Sequence, residues 1–510
     1  MSKRFFLVTI ILAALKLVLP FLLHHPAFGL HRDEFLYYEQ GQHLDLGYLE
    51  NPPLVGLLAS ISSLFGGSFF WIKFWPALFG ALTFVVVAQM IWVMGGGLYA
   101  LLVAGLGMIF TAYLRVHFLF QPNFLEIFFW TLAAFFLVLF LNTRHNKYLY
   151  LVSASLALGW WSKYSVLFFI TALVLSLLFT HHRKLFTRLE FWKAIGLGLL
   201  ITLPNILWQY THNWPLYHHM GELRETQLRY INRANFIKEQ ILYLIPVLFV
   251  WMGGLIWYLR QKNYKVMGLL YLFVIALLML GSGKGYYALG VYPMLLAGGA
   301  VWVEGASRRR RWLRYANVAL ILILALPFVP VLMPMQKPAA MAVFNQKYGL
   351  EDIGLLRWED QQQHPLQQDF ADMIGWKELA QKSERTFLQL PDPIKSSIIV
   401  YCRNYGQAGA LRYYAKDPDF RSRIICDNGT FLLWIPDALS FDHLLFVGRH
   451  MPEKDDEVFQ HFSKVTLIDS VNNPLSRQHG DKIILFQQAD TLASKLAREG
   501  LAEMKSVFGR

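Results

Sequence analysis

Apolar residues in this chain come in runs long enough to cross a lipid bilayer, and the runs follow one another as far as about residue 335. A helix that crosses a bilayer needs about 20 mostly apolar residues. Inside the bilayer the backbone must satisfy its own hydrogen bonds, which leaves a bundle of hydrophobic helices as the only fold for this stretch. Composition points the same way. The chain is 55% hydrophobic and 16% charged, where an average soluble protein carries about 25% charged residues. Its mean hydropathy is +0.36. An ordinary soluble enzyme is excluded. Disorder is excluded too, because disordered chains are poor in aromatics and this one is 16% Phe, Trp and Tyr.

The expected fold is an all-α multi-span membrane bundle of about eleven transmembrane helices over residues 1–335, with a C-terminal α/β extracytoplasmic domain at 336–510. The spans read as 5–23, 72–94, 97–114, 124–142, 149–162, 164–180, 193–211, 238–259, 264–281, 286–304 and 313–333. The boundaries near 95–97 and 149–164 are the least sharply marked. No small-x-small cleavage site follows the first run, so it reads as an uncleaved span rather than a signal peptide. A formal net charge of +13 would suit a nucleic-acid partner, but membrane proteins collect basic residues in cytoplasmic loops. With the N-terminus inside, the cytoplasmic joints hold Arg144 and Lys147, then Arg183, Lys184 and Arg188, then Arg260, Lys262 and Lys265, and finally Arg308 to Arg311 with Arg314. No nucleic acid is expected as a partner.

Leu54 to Phe65 is apolar but too short to span, and reads as a juxtamembrane helix along the interface. In the C-terminal region Ile398–Cys402, Leu444–Val447, Val465–Ile468 and Ile483–Phe486 read as strands. Gly406 to Ala415 and Thr491 to Val507 have helical periodicity. The two cysteines, Cys402 and Cys426, each end a strand-like run. An oxidising compartment would permit a bridge, and buried free thiols are the other reading.

The residues able to carry chemistry lie in the loops expected outside. Asp33 and Glu34, about ten residues beyond the first span, offer a carboxylate that can take a proton from an attacking hydroxyl. A solvated loop pair is the bland reading. Glu50 precedes Asn51-Pro52-Pro53, and Glu126 lies in the first turn of a span. Either is a substrate contact or a helix-start acid favoured by the dipole. Lys163, Arg224 and Lys284 are outer cations that together can hold a phosphate, or singly can snorkel to headgroups. The outside loop at 212–237 also holds His218, His219, Glu222, Glu225 and Arg229. His218-His219 lacks metalloprotease spacing, no cofactor is called for, and a divalent cation is not indicated. The Lys284 turn lacks the spacing of a P-loop.

His31-Arg32-Asp33-Glu34, Gly47-Tyr48-Leu49-Glu50-Asn51-Pro52-Pro53 and Gln121-Pro122-Asn123 before Glu126 make up a familiar pattern. With them go Trp161-Ser162-Lys163-Tyr164, Glu222 to Gln227, Gly283 to Tyr287 and Tyr405 to Ala410. Over essentially its whole length the chain resembles the GT-C membrane glycosyltransferases, in the bacterial branch similar to dolichyl-phosphate-mannose protein mannosyltransferases and lipid A aminoarabinose transferase. The resemblance implies a sugar donor on a polyprenyl phosphate, an acceptor that is a lipid, glycan or protein, and transfer with inversion at the outer face of a bacterial inner membrane. Membrane lipids are the other partners. The resemblance also implies Asp33 as catalytic base with Glu34 beside it, and Glu50, Glu126, Lys163, Arg224 and Lys284 as substrate-binding residues. Where the aminoarabinose enzyme has lysine before the double proline, this chain has Asn51. The competing class is a lipid or sugar transporter or flippase, but transporters favour charges near the midplane and internal repeats, and no repeat is evident here.

The basic joints generate a topological prediction. A reporter fused after residue 510 is expected to be active as an exported enzyme such as alkaline phosphatase. Fluorescence from a cytoplasmic reporter at the same point would overturn the parity.

Overall fold

The computed structural model describes residues 2–226, 232–452 and 457–510. All eleven expected spans fall on helices. Helix α1 is Lys3–Leu23, α2 Arg32–Gln40, α3 Leu54–Leu64, α4 Phe69–Val93 and α5 Leu98–Ile109. The bundle continues with Asn123–Thr143, Lys147–Ser162, Val166–Leu178, Leu189–Thr211, Arg233–Tyr243, Leu248–Arg260, Lys265–Leu280, Tyr292–Ala306 and Arg311–Ala325. Six stretches are long and apolar enough to cross a membrane unaided, and up to eight if each of two bent pairs counts as one span. The shortfall from eleven has local causes. Pro246, without an N–H to give, starts a 3₁₀ turn between Arg233–Tyr243 and Leu248–Arg260, and the pair bends by 69°. Leu98–Ile109 and Lys265–Leu280 are apolar but shorter.

Loops expected on the same side meet one another. Arg144 bonds to His182 at 3.2 Å and to Asn263 at 2.8 Å, joining three of the basic joints. The Gly97 N–H donates to Glu304, and the Tyr99 hydroxyl donates to the Arg314 carbonyl at 3.2 Å. Among the loops expected outside, His25 N–H donates to the Pro334 carbonyl at 2.8 Å and Ala112 N–H to that of Tyr243 at 3.1 Å.

The C-terminal part carries a five-stranded sheet of order β2-β1-β3-β5-β4. Its strands are β1 Ile398–Cys402, β2 Ile424–Ile425, β3 His443–Gly448, β4 Phe462–Ser470 and β5 Lys482–Ala489. β1 runs parallel to β2 and β3, whereas β5 is antiparallel to β3 and β4. The four expected strands and both expected helices, here Tyr405–Tyr414 and Thr491–Ser506, are present. Two-residue β2 is too short to stand out from its surroundings. Cys402, at the end of β1, and Cys426, just beyond β2, are buried free thiols.

The helix expected at Leu54 to Phe65 is α3, and the outer-loop stretch before it, where Asp33 and Glu34 were expected in a loop, is folded as well. α2 starts at an unusual N-cap: the Asp33 N–H donates to His31 Nδ1 at 3.2 Å, and the His31 N–H donates to the Glu34 carboxylate at 2.7 Å. That reciprocal arrangement is a capping box built on histidine rather than Ser or Thr. α2 and α3 then share one apolar core with the C-terminal sheet, in which Phe35, Leu36 and Val55 pack with Trp376, Leu379, Ala408 and Val400. Helix Tyr405–Tyr414 lies so close to α2 that a Cβ on Gly409 would stand 2.7 Å from that of Phe35.

One buried ion pair fixes α2 to the bundle. Lys73, in the first turns of α4, donates to both Glu34 oxygens at 2.5 and 2.6 Å, and both side chains are fully buried. Removing one partner of a buried pair costs about 3–5 kcal/mol because the other charge is stranded. Lys73→Met is therefore expected to lose about that much stability. Adding Glu34→Gln should restore more than half of it, with thermal unfolding in detergent as the measurement. Simple addition of the two single losses would show that the pair is not coupled.

Candidate active site

Asp33 lies in the first turn of α2, where an acid is favoured by the helix dipole. Its carboxylate accepts from the Tyr405 hydroxyl at 2.8 Å, from Arg32 Nε at 3.2 Å and from Gln121 Nε2 at 3.3 Å. Its side chain keeps 25% of its surface exposed, whereas Glu34 keeps none. Burial by itself raises the Asp33 carboxyl. Arg32 and His31 beside it, with the hydrogen bonds from Tyr405 and Arg32, outweigh that and hold it at about 2. The adjacent acids thus differ completely. Glu34 spends its oxygens on Lys73, on the His31 N–H and on the Phe120 N–H at 2.6 Å.

A chain of side-chain hydrogen bonds runs from Asp33 to the first of the expected cations. Gln121 donates to Asp33, Asn123 donates to Gln121 at 3.2 Å, and Lys163 donates to Asn123 at 2.7 Å. Lys163 also pairs with buried Glu126 at 3.1 Å, and Ser165 donates to the second Glu126 oxygen. The ammonium sits over the Tyr287 ring, 4.1 Å from its centre, a cation–π contact. Glu126 is therefore not an idle helix-start acid: it orients Lys163. The Tyr37 hydroxyl, buried and so pushed well above its ordinary value, feels Asp33, Glu50 and Tyr287 at once.

Glu50 is held by the C-terminal part. It accepts from the Thr430 N–H at 2.7 Å and from the Thr430 hydroxyl. Gly429, at φ +63°, leaves the room: a Cβ there would stand 2.0 Å from Glu50 Oε1. Burial raises the Glu50 carboxyl, the Thr430 bonds oppose this, and Glu222 pushes it further up. Asn51 is committed inside the loop, to Gln40 at 2.9 and 3.0 Å and to the Pro52 carbonyl at 2.8 Å.

Lys284 is half-buried, and its charge acts on His219 and Glu359. Burial and the charge of Lys284 hold His219 down at about 4. Glu359 is drawn below its ordinary value, against its burial, by Arg477, Arg32 and Lys284. Arg224 is exposed on helix Pro215–Thr226, and no contact among the described residues joins it to Asp33 or Lys163. Gln227 and Arg229 lie outside the described residues. No group of three or more His, Cys, Asp or Glu among the described residues is placed to hold a metal ion.

Four contributors escape a reading by residue type. Tyr405 and Tyr37 carry no charge, Gln121 looks like helix-start punctuation, and Lys73 sits in an apolar run that gives no hint of a partner. Gln121 and Tyr405 do fall inside motifs that carry the family resemblance, and that is their only sequence signal.

Comparisons with known proteins bear on the fold. Residues 50–208 match the family model of dolichyl-phosphate-mannose-protein mannosyltransferase. No sequence among curated proteins matches the chain. The fold is shared with ArnT from Cupriavidus metallidurans bound to undecaprenyl phosphate, at 13% identity and a TM-score of 0.61, over 95% of this chain and 98% of that one. It is shared also with the archaeal oligosaccharyltransferase AglB from Archaeoglobus fulgidus, in complex with an inhibitory peptide and a dolichol-phosphate. There the identity is 11% and the TM-score 0.50, over 87% of this chain and 69% of that one. The chain has the fold of ArnT and of the oligosaccharyltransferase AglB, and across residues 50–208 its sequence resembles the dolichyl-phosphate-mannose-protein mannosyltransferases.

Proposed function

We propose that this chain is an integral membrane glycosyltransferase that moves a sugar from a polyprenyl-phosphate donor to a lipid, glycan or protein acceptor, with inversion. In this reading residues 1–335 cross a bacterial inner membrane eleven times, and residues 336–510 and the site face outward. The observation that carries it is the run of hydrogen bonds from Asp33 through Gln121 and Asn123 to Lys163. It sets a carboxylate and a cation in one polar seam, within a fold shared with a protein that binds undecaprenyl phosphate.

The chemistry follows from the charges. The donor is already activated, so no nucleotide site is required. As the bond to phosphate breaks, the anomeric carbon gains positive character and the departing phosphate gains negative charge, which Lys163 and Lys284 are there to balance. An acceptor hydroxyl can replace the Tyr405 hydroxyl on Asp33 and deliver its proton there as the new bond forms. A carboxyl held at about 2 is a weak base. It suffices when proton transfer is late, because an oxygen already bonding to a cationic carbon is strongly acidic. Glu34 is then a positioning residue, Glu126 holds Lys163 in place, and Glu50 anchors the acceptor side. Arg224, exposed on helix Pro215–Thr226, is the third cation of this reading.

Asp33→Asn keeps the shape and removes the base. Single-turnover transfer of sugar from a defined polyprenyl-phosphate hexose should fall about 10²–10⁴-fold, with thermal unfolding little changed. Near wild-type turnover would overturn the assignment. Because Asp33 is held near 2 rather than at 3.8, it stays ionised as the pH falls. Its protonation should cost no activity between about pH 8 and about pH 5. An acid limb in that range that moves in Asp33→Glu would contradict the low setting of the Asp33 carboxyl.

A further inference from the structure

On the other side of α2 from Asp33, a cavity of about 660 Å³ opens between the loop into α4 and the C-terminal sheet domain. Tyr38, five positions beyond Asp33, is turned by about 140° around the helix at 3.6 residues per turn, and it lines this cavity. So do Arg412 and Arg421 from the C-terminal side, and Gly67 and Ser68 from the loop.

Two arginines here face one acid. Arg412 donates to Glu39 at 3.2 Å and to the Ile424 carbonyl at 2.8 Å, while its Nε is buried with no partner among the described residues. Arg421 is exposed and near enough to Glu39 to act on its charge. His43, also in the wall, is stacked on Trp434 with ring centres 4.3 Å apart. Burial and the neighbouring Arg412 hold it below its ordinary value, so it stays neutral and leaves the arginines as the positive groups of the wall. The cavity is left with an uncompensated positive charge.

A second source of positive potential sits in the same wall. Ser68 is the N-cap of the 25-residue helix α4, and no side chain caps that end. Free N–H groups at a helix start carry partial positive charge and suit anions. The loop reaches this position only through glycines: Gly66 and Gly67 have φ +85° and +58°, and a Cβ on Gly67 would meet the Tyr38 hydroxyl at 2.0 Å. Just before them Leu64 and Phe65 are 81% and 56% exposed, an apolar rim beside a charged pocket.

We propose that this cavity is a binding site for a phosphate-bearing group, gripped by Arg421, by the exposed part of the Arg412 guanidinium and by the N-terminus of α4. Arginine suits this role because its planar fork matches phosphate oxygens. The phosphate is either that of a lipid headgroup, with acyl chains along Leu64 and Phe65, or a free phosphate. The site is distinct from the Asp33 seam and does not depend on the donor chemistry assigned there.

The test uses the full chain in detergent, with binding followed by ligand-induced thermal shift and titration. The ligands are dioctanoyl phosphatidate, dioctanoylglycerol without phosphate, and inorganic phosphate. Phosphatidate should bind the wild type and bind Arg421→Gln about tenfold less well, the worth of one charge-assisted contact. Ser422→Asp, which puts a carboxylate on the exposed rim, should weaken binding similarly. If inorganic phosphate shows the same losses as phosphatidate, the site takes free phosphate. If only phosphatidate does, it takes a headgroup. Unchanged phosphatidate and phosphate binding in both variants, each unfolding like wild type, would overturn the proposal, as would equal binding of dioctanoylglycerol.

Discussion

The ion pair between Glu34 and Lys73 decides where Asp33 can be. An acid and an amine buried without water hold each other strongly, because neither has an alternative partner of comparable strength. The pair ties the first turn of α2 to the first turns of α4, and the Phe120 N–H on Glu34 adds a third element to the same point. With Glu34 fixed inward, its neighbour is directed about 100° around the helix, toward Gln121 and Tyr405. Two adjacent acids that look interchangeable in the sequence divide the work, one as an anchor and the other facing the seam.

The surroundings of Asp33 are balanced rather than merely positive. Arg32 stands among Asp33, Asp372 and Glu359 and so serves several acids at once, its charge strengthened by each. Arg477 shares Asp372, at 2.8 Å, and Glu359, at 3.0 Å. Such a lattice keeps every ionised group matched in a partly buried place, where one stray charge would be costly. It also holds Asp33 ionised without leaving it bathed in water. Lys163 is treated in the same way: Glu126 compensates it, and Tyr287 shields its face.

Much of this was legible in the sequence because it depends on residue type at short range. The apolar runs and the strands with β-branched residues report local preference, and each falls on the expected element. The membrane part fell short where a span is interrupted, as at Pro246. Leu54 to Phe65 is the expected helix, but α2 escapes the sequence for a different reason. His31 is a rare N-cap, and α2 is held by partners far away in the chain, so no local signal announces a helix. Asp33, Glu50, Glu126, Lys163 and Lys284 were visible as charges in or beside loops expected on one side. Tyr37, Gln121 and Tyr405 were not, since an uncharged hydroxyl or amide becomes a site residue only through what the fold sets beside it.

The core shared by α2 and the C-terminal sheet carries a consequence for how the protein is made. Asp33 and its partner Tyr405 are 372 residues apart, and Phe35 waits on the same distant helix. At a synthesis rate of about 5–20 residues per second, α2 spends roughly twenty seconds to a little over a minute without the surface that covers it. For that interval its charged face is held by the bundle while its aromatic face stays bare. The seam at Asp33 is completed only by the last third of the chain, so a nascent protein is inserted long before it is competent. Any change that slows production of residues 376–434 lengthens the exposure of a segment it never alters.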